Sequence, residues 1–298
     1  MNVKTAAKRL VKAPFRALGM DLVRWRPLLC FGPPDDFYSP LPSEHDIRRR
    51  EVEWVEPAGV ELNEDGQKWL LAELSKFYPE MPFLETAMAG SRYSFDQQYY
   101  CYSDAIYLYS LLRHLHPRRL IEVGSGHSSA AALDTNERFL GGSVRFTFIE
   151  PYADRLKSVL KQGDQEHCKL IEKPVQDVPL TVFDALEAND ILFIDSTHVS
   201  KVGSDVNHLM FRVLPRLSSG VVVHIHDIFF PFEYLEDWFR EGRAWNEAYL
   251  VRAFLQNNSQ WEVILFADFI GKRFRSFLSE RMPLCLRNTG GALWLRKR

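Results

Sequence analysis

The spacing of hydrophobic residues switches repeatedly between two periods in the second half of the chain. Residues 104–116 carry apolar side chains at helical spacing, and the short β-rich run 119–123 follows directly. The same pattern predicts further helices at residues 128–139, 153–162, 180–186 and 205–217, and further strands at residues 144–149, 169–173, 190–194 and 220–225. Strands and helices that alternate in this way form a parallel sheet covered on both faces. We therefore predict an α/β fold whose ligands bind at the carboxyl ends of the strands.

The C-terminal region breaks this alternation. A helix is predicted at residues 245–255 and strands at residues 261–266 and 292–295. We expect the two strands to form an antiparallel hairpin at the sheet edge. The aromatic loop 228–238 between the last parallel strand and this region would either cover a ligand or pad the sheet.

The N-terminal region has a different composition. Residues 1–26 contain seven Lys and Arg residues against Asp21 alone, with apolar residues at roughly helical spacing, which predicts a basic amphipathic helix interrupted by Pro14 and Gly19. Residues 31–42 contain four prolines and predict a linker, and residues 61–77 predict a helix. We thus predict an N-terminal appendage over residues 1–92 and one main domain over residues 93–298.

Composition narrows the class of protein without indicating a reaction. The 298 residues are 46% hydrophobic and 26% charged, as in ordinary globular proteins, and the net charge of -2 gives no reason to expect a nucleic acid partner. The four cysteines lie far apart without ligand-like spacing, and no apolar run is long enough to span a membrane. We expect a cytoplasmic protein, with the basic helix offering peripheral contact with the inner face of a membrane. The sequence is compatible with an oligomer.

The most informative segment is LIEVGSGHSS at residues 120–129. Its glycines allow a ligand to approach the backbone, and the helix that follows presents free N–H groups. Glu122 precedes the turn, and Ser129 replaces the third glycine of a dinucleotide-binding motif, which argues against a nicotinamide dehydrogenase. Glu150 ends the second strand, where a carboxylate can accept hydrogen bonds from both hydroxyls of a ribose.

These motifs resemble the class I S-adenosylmethionine-dependent methyltransferases. IEVGSGHSS, FIEP, DILFIDSTHVSKVGSDVNH, VVVHIHDIFFPFEY and the closing GGALWLRKR are similar to methyltransferase family 24, from about Phe95 onward. The resemblance implies a Rossmann-like fold. It also implies cofactor binding by the set Glu122, Gly124, Gly126, Glu150, Asp195 and Asp177, where the neighbouring Gln176 is the alternative to Asp177.

A second group of polar residues follows the fourth and fifth strands. Asp195 and His198 come after the fourth strand, and His226 and Asp227 end the fifth, so all four are expected at one edge of the sheet. Buried polar residues in such a position need partners or a function. His224, deeper in the fifth strand, is expected to be a core residue instead.

The expected reaction is methyl transfer to a hydroxyl of a small molecule or sugar. Either a histidine removes the hydroxyl proton, with His226 as the first candidate and His198 and Asp195 beside it, or a divalent metal lowers the hydroxyl pKa. The catechol-type and macrolide-sugar methyltransferases, which the chain also resembles, place carboxylate metal ligands where Asp195 and Asp227 stand. His226 occupies the position of a further carboxylate, which counts against Mg²⁺.

Two other functions remain open at this stage. One is a non-methylating, hydroxylase-like member of the same fold that keeps the cofactor pocket. The other is a membrane-recruited binding protein that acts through residues 1–26.

Overall fold

The computed structural model describes residues 14, 15, 17, 38–50 and 55–298. All but residues 14, 15 and 17 of the predicted basic helix over residues 1–26, and most of the predicted linker, lie outside the described residues. The chain divides into two compact units, residues 1–49 and 50–298. In the first unit, helix α1 (Glu44–Arg49) follows Ser43, whose backbone N–H and hydroxyl donate to the Asp46 carboxylate over 2.9 and 2.7 Å.

The second unit is built around one seven-stranded sheet. Its strands are β1 Arg119–Val123, β2 Arg145–Ile149, β3 Cys168–Ile171, β4 Ile191–Ile194, β5 Val222–Ile225, β6 Trp261–Phe266 and β7 Leu293–Lys297. The spatial order is β3-β2-β1-β4-β5-β7-β6, and β7 runs antiparallel to both β5 and β6, whereas the other pairs are parallel. This confirms the predicted α/β fold, a mostly parallel sheet with a C-terminal antiparallel pair. The pair is joined through two helices instead of a tight turn, and β6 forms the edge.

Helices cover both faces of the sheet. They are α2 Glu64–Ser75, α3 Ser103–Leu115, α4 His127–Phe139, α5 Asp154–Val159, α6 Asp205–His208, α7 Glu236–Arg240, α8 Glu247–Leu255, α9 Ala267–Arg273 and α10 Arg275–Arg281. Short helical turns lie at Tyr78–Glu80, Asp164–Glu166, Val175–Asp177, Leu180–Ala185, Leu214–Arg216 and Pro283–Leu286, and a π-helical turn at Leu209–Val213. The predicted helix over residues 205–217 is therefore three consecutive pieces. Pro215, which has no N–H, lies in the last of these pieces. Among the described residues, no helix combines the length and the apolar character that crossing a bilayer demands.

Helix α2 belongs to the larger unit. Leu70, Leu71 and Leu74 are buried in the same core as the sheet, and the Gln67 side chain accepts a hydrogen bond from the backbone N–H of Phe266 on β6 over 2.7 Å. The helix thus covers the edge strand, whose open backbone groups would otherwise be available for pairing. The larger unit begins at residue 50, well before the predicted domain start at residue 93.

Strands β4 and β5 are the centre of the core. All four residues of each strand are buried, and each ends in a polar segment at the same edge of the sheet. The parallel register pairs Ile194 with Ile225, so the residues that follow the two strands emerge side by side. This register brings the two predicted polar segments together.

Candidate active site

The turn after β1 depends on glycine for a reason internal to the fold. Gly124 has a φ of +81°, and a Cβ there would lie 1.8 Å from the carbonyl oxygen of Asp195. A side chain at this position would therefore collide with the backbone that follows β4. At Gly126, a Cβ would meet the Arg155 side chain, whose Cδ atom would lie 2.8 Å away. Both glycines line the pocket of about 100 Å³ above the turn, and Gly124 also lines the cavity of about 380 Å³ described next.

Glu122 lies beneath this turn and is 1% exposed. Its carboxylate accepts hydrogen bonds from the hydroxyls of Ser128 and Ser129, the latter over 2.7 Å. Burial raises the pKa of Glu122 to about 8, although the two hydroxyls act in the opposite direction. Glu122 lines none of the three cavities described below, so its contacts tie β1 to the first turn of α4.

Glu150 stands at the mouth of a cavity of about 380 Å³. The backbone N–H groups of Ser125 and Tyr152 donate to its two carboxylate oxygens over 3.1 and 2.8 Å. Gln176 lines the same cavity and donates to the carbonyl of Gly203 over 2.9 Å. Asp177 is exposed, as Gln176 is, but it does not line the cavity.

A larger cavity of about 690 Å³ opens at the ends of β4 and β5. Carboxylates and imidazoles line it, namely Asp104, Asp195, His198, His226 and Asp227. Its other lining side chains include aromatic and apolar ones, namely Tyr99, Phe229, Leu235, Trp238 and Trp245. A pocket of about 100 Å³ at the glycine turn shares Tyr99, Arg155 and Asp195 with it. Asp195 lines all three spaces, so it marks the point where they meet.

Three stacked side chains lie over the small pocket. The ring of Tyr99 stacks on His127 with centroids 5.7 Å apart and planes 9° from parallel. The Arg155 guanidinium lies 4.5 Å from the centre of the same tyrosine ring. The stack joins the segment before α3 to the helices that follow β1 and β2.

We call the sheet edge formed by Asp195, His198, His226 and Asp227 the reacting edge. His198 lies at its centre and is 4% exposed. Its Nε2 lies 3.4 Å from Asp195 Oδ1 and 3.6 Å from Asp227 Oδ2, and its Nδ1 donates to Glu247 Oε2 over 3.0 Å. Burial alone would lower the pKa of His198, but the contacts with Asp195, Glu247 and Asp227 raise it to about 10. Without a further cation, His198 is therefore an imidazolium at neutral pH.

The backbone supports this arrangement at some conformational cost. His198 and Asp227 both have positive φ, 58° and 56°, a region that non-glycine residues rarely occupy outside functional or tightly held sites. The first backbone N–H groups of α8, at Asn246 and Glu247, donate to the His198 carbonyl over 3.1 and 3.2 Å. Helix α8 thus fixes both the backbone and the ring of His198.

The two histidines of β5 differ in environment. His226 lines the large cavity, its Nε2 lies 3.6 Å from Asp227 Oδ1, and its buried Nδ1 has no hydrogen-bond partner among the described residues. Burial would lower the pKa of His226, but the charges of Asp227 and Asp195 raise it. His224 is packed between Phe193 and Trp294, and burial lowers its pKa well below the usual value, as suits a core residue.

The same residues fit a divalent cation. Asp195, His198 and Asp227 each offer one ligand atom, and these atoms lie within 4.8 Å of one another. A histidine ligand commonly donates its other ring N–H to a carboxylate, as His198 does to Glu247. Two carboxylates with one imidazole suit Mn²⁺, Fe²⁺ or Zn²⁺ better than Mg²⁺. His226, which stands at the family's carboxylate position in the sequence, lies outside this set of three.

Two buried acidic residues at the site were not found from the sequence. Asp104 is the second residue of α3 and Glu247 is the first residue of α8. In the sequence, both look like acidic residues in the first turn of a helix. Such residues are common there because they interact favourably with the helix dipole, so they give no sign of a functional site. Only the packing of distant segments reveals their position.

Comparison with known proteins identifies the family of the domain. Residues 121–228 match the family model described as a methyltransferase domain. An uncharacterised protein of Archaeoglobus fulgidus is 33% identical over 174 residues, which cover 53% of this chain and 75% of that protein. The chain belongs to this methyltransferase family.

Solved structures give more distant matches to the methyltransferase domain. An O-methyltransferase of Streptomyces achromogenes involved in tomaymycin synthesis, in complex with S-adenosylmethionine, is 15% identical over 80% of this chain and 91% of that chain, with a TM-score of 0.39. A Bacillus cereus O-methyltransferase in complex with S-adenosylhomocysteine is 12% identical over 78% of this chain and 91% of that chain, with a TM-score of 0.43. At these TM-scores the matches say nothing about the reaction of this protein.

Proposed function

We propose that this methyltransferase domain transfers a methyl group from S-adenosylmethionine to a hydroxyl group of a small molecule or sugar. The observation that carries the proposal is the meeting of the three cavities at Asp195. A donor molecule in the cleft at Glu150 and an acceptor in the 690 Å³ cavity would be in contact at that residue. Methyl transfer is a displacement that depends above all on such positioning.

The donor cleft suits a nucleoside with a charged amino acid tail. Glu150, already aligned by the N–H groups of Ser125 and Tyr152, has the geometry to bind a ribose diol. The pocket of about 100 Å³ lined by Gly124 and Gly126 would admit the tail of the ligand close to the backbone. When bound, S-adenosylmethionine would supply the electrophilic methyl group.

The acceptor side requires a place for the hydroxyl proton. His226 faces the cavity beside Asp227, so this pair can take the proton at the imidazole and hold the resulting charge. His198, fixed by Glu247, holds Asp195 and Asp227 in position. The aromatic side chains around the cavity would exclude water from the acceptor.

A cation at Asp195, His198 and Asp227 would instead lower the pKa of the acceptor hydroxyl. His198 would then be neutral and act as a ligand, because the cation replaces its proton among the carboxylates.

The proposal is tested by calorimetry with S-adenosylhomocysteine, followed by transfer of radiolabelled methyl groups to a panel of alcohols, phenols and sugars, with and without chelator. We expect saturable binding of the cofactor product and labelled methyl ether from at least one acceptor class. Loss of transfer with chelator, restored by Mn²⁺, assigns deprotonation to the cation, and unaffected transfer assigns it to His226. Absence of binding contradicts the proposal, and tight binding without transfer to any acceptor favours the non-methylating alternative.

A further inference from the structure

Asp104 is a buried acid whose hydrogen-bonding capacity is mostly unused. It is 4% exposed and lines the 690 Å³ cavity. Its Oδ1 accepts one hydrogen bond, from the backbone N–H of Gly291 over 3.2 Å, and its Oδ2 accepts none within the described part of the chain. A carboxylate has room for about four such bonds.

Asp190, another buried aspartate of the same domain, precedes β4 and shows the contrast with a structural role. It is 1% exposed, and its carboxylate accepts from the backbone N–H groups of Arg118, Arg119 and Glu187 and from the Arg119 side chain, over 2.8 to 3.3 Å. Asp190 thereby links two loops. Asp104, with one accepted bond, leaves an acceptor facing the cavity. Burial raises the pKa of Asp104 to about 6, which leaves the carboxylate largely ionised at neutral pH.

The backbone at residues 290 and 291 is shaped to fit this carboxylate. Gly290 has a φ of +76°, and a Cβ there would lie 2.2 Å from Asp104 Oδ1. Gly291 donates to Asp104, and its Cβ would lie 3.1 Å from the Cα atom of Asp227. A single glycine therefore separates Asp104 from Asp227 along the wall of the cavity.

From this arrangement we propose that Asp104 binds a second hydrogen-bond donor of the acceptor, next to the hydroxyl that receives the methyl group. This inference rests on the proposed function and narrows its acceptor to compounds with two neighbouring hydroxyl groups. A mono-alcohol at the reacting edge would leave the buried Asp104 unpaired. A site built to bind a hydroxyl discriminates strongly against an analogue that lacks it.

The test compares matched pairs of probes on the protein saturated with S-adenosylhomocysteine. Calorimetry measures the affinity of catechol against phenol, and of trans-cyclohexane-1,2-diol against cyclohexanol. A hydrogen bond to a charged group contributes about 1.5 to 3 kcal/mol, so we expect each diol to bind roughly 10- to 100-fold more tightly than its mono-alcohol. The cyclohexane pair is the stricter comparison, because catechol also chelates metal ions.

Asp104→Asn tests whether this residue is responsible. The amide keeps an acceptor for Gly291 but replaces the other oxygen with a donor, so the preference for diols should fall to within about threefold while cofactor-product affinity stays unchanged. The melting temperature of the variant should stay level or rise, because the carboxylate accepts only one hydrogen bond. If Asp104 had a structural role, the substitution would lower the melting temperature. Asp104→Ala serves as a second variant, and Ser110→Ala, a buried hydroxyl on the same helix without a described partner, is the control.

Equal affinity of the parent protein for diols and mono-alcohols, including no measurable binding of either, overturns the inference. A preference that survives in both Asp104 variants also overturns it. The same experiment measures binding of S-adenosylhomocysteine. Absence of that binding would show separately that the proposed function is wrong.

Discussion

The donor cleft and the reacting edge hold their charged groups in different ways. At the donor cleft, Glu150 accepts two hydrogen bonds from backbone N–H groups, and beneath the neighbouring glycine turn Glu122 accepts two from serine hydroxyls. At the reacting edge, His198 and the two aspartates lie 3.4 to 3.6 Å apart, and further polar atoms of His226 and Asp104 are without partners among the described residues. The cleft is thus completed by the protein itself, whereas the edge retains charge and bonding capacity for a ligand. Binding and chemistry should therefore be separable by substitution.

The largest expected effect is on chemistry. His226→Ala should lower turnover by roughly two to four orders of magnitude, because it removes the proposed proton acceptor, and should leave the affinity for S-adenosylhomocysteine intact. Steady-state kinetics and calorimetry on the same preparation check this. Nearly full turnover in the folded variant would show that His226 only supports the loop after β5.

Glu150→Ala should have the converse effect. It removes the proposed ribose contact, so the affinity for S-adenosylhomocysteine should fall about 10- to 100-fold. Glu172→Ala removes the same charge at the end of the neighbouring β3, where Glu172 pairs with Lys157 outside the cavities, and serves as the control. Equal affinity of the two variants would contradict the assignment of Glu150.

Glu247→Ala tests the support of His198 from helix α8. Loss of the buried carboxylate leaves Nδ1 without its acceptor, so we expect turnover to fall about tenfold with little change in cofactor-product affinity. Glu247→Gln retains an acceptor and should recover part of the loss. If both variants lose only thermal stability, Glu247 has no positioning role.

Glu122→Gln should alter stability and its dependence on pH. The folded pKa of Glu122 is raised by burial to about 8, above its unfolded value, so the parent loses stability as pH rises from about 4.5 to 8. The variant lacks this loss and should be more stable than the parent by roughly 1 to 3 kcal/mol at pH 8, with a small difference at pH 4.5. Chemical denaturation at several pH values measures it, and a difference independent of pH would show that Glu122 stays ionised in the fold.

The smallest effect is expected at the far end of the donor cleft. Gln176→Ala should weaken cofactor-product binding by about threefold through loss of one neutral hydrogen bond or contact, and Asp177→Ala should leave it unchanged. Calorimetry distinguishes the two. The opposite order would favour Asp177 as the cofactor-binding residue.

The features that could be predicted from the sequence are those that depend on residues close together along the chain. The strand and glycine turn around Gly124, and Glu150 at the next strand end, are local patterns whose geometry is set by a few neighbouring residues. The register of β4 and β5 then brings Asp195, His198, His226 and Asp227 to one edge, as parallel strands require. These parts of the fold and the site were accessible to reasoning from sequence.

The remaining features depend on contacts between distant segments. The sequence indicates that Gly124 lets a ligand approach, and the structure adds a second constraint, because a Cβ there would collide with the backbone after β4. Asp104 reaches the edge because Gly291, far along the chain, binds it, and Glu247 does so because α8 docks on the loop of His198. Nothing in the immediate sequence of these residues encodes such pairings, so spacing and composition could not reveal them.

The stack of His127, Tyr99 and Arg155 has a kinetic consequence. Tyr99 and Arg155 line both the small pocket at the glycine turn and the large cavity. A donor bound at the turn would therefore complete the wall of the cavity that holds the acceptor. Substrates should then add in a fixed order, donor first, and the demethylated product should leave last. Product inhibition by S-adenosylhomocysteine would be competitive with the donor and noncompetitive with the acceptor.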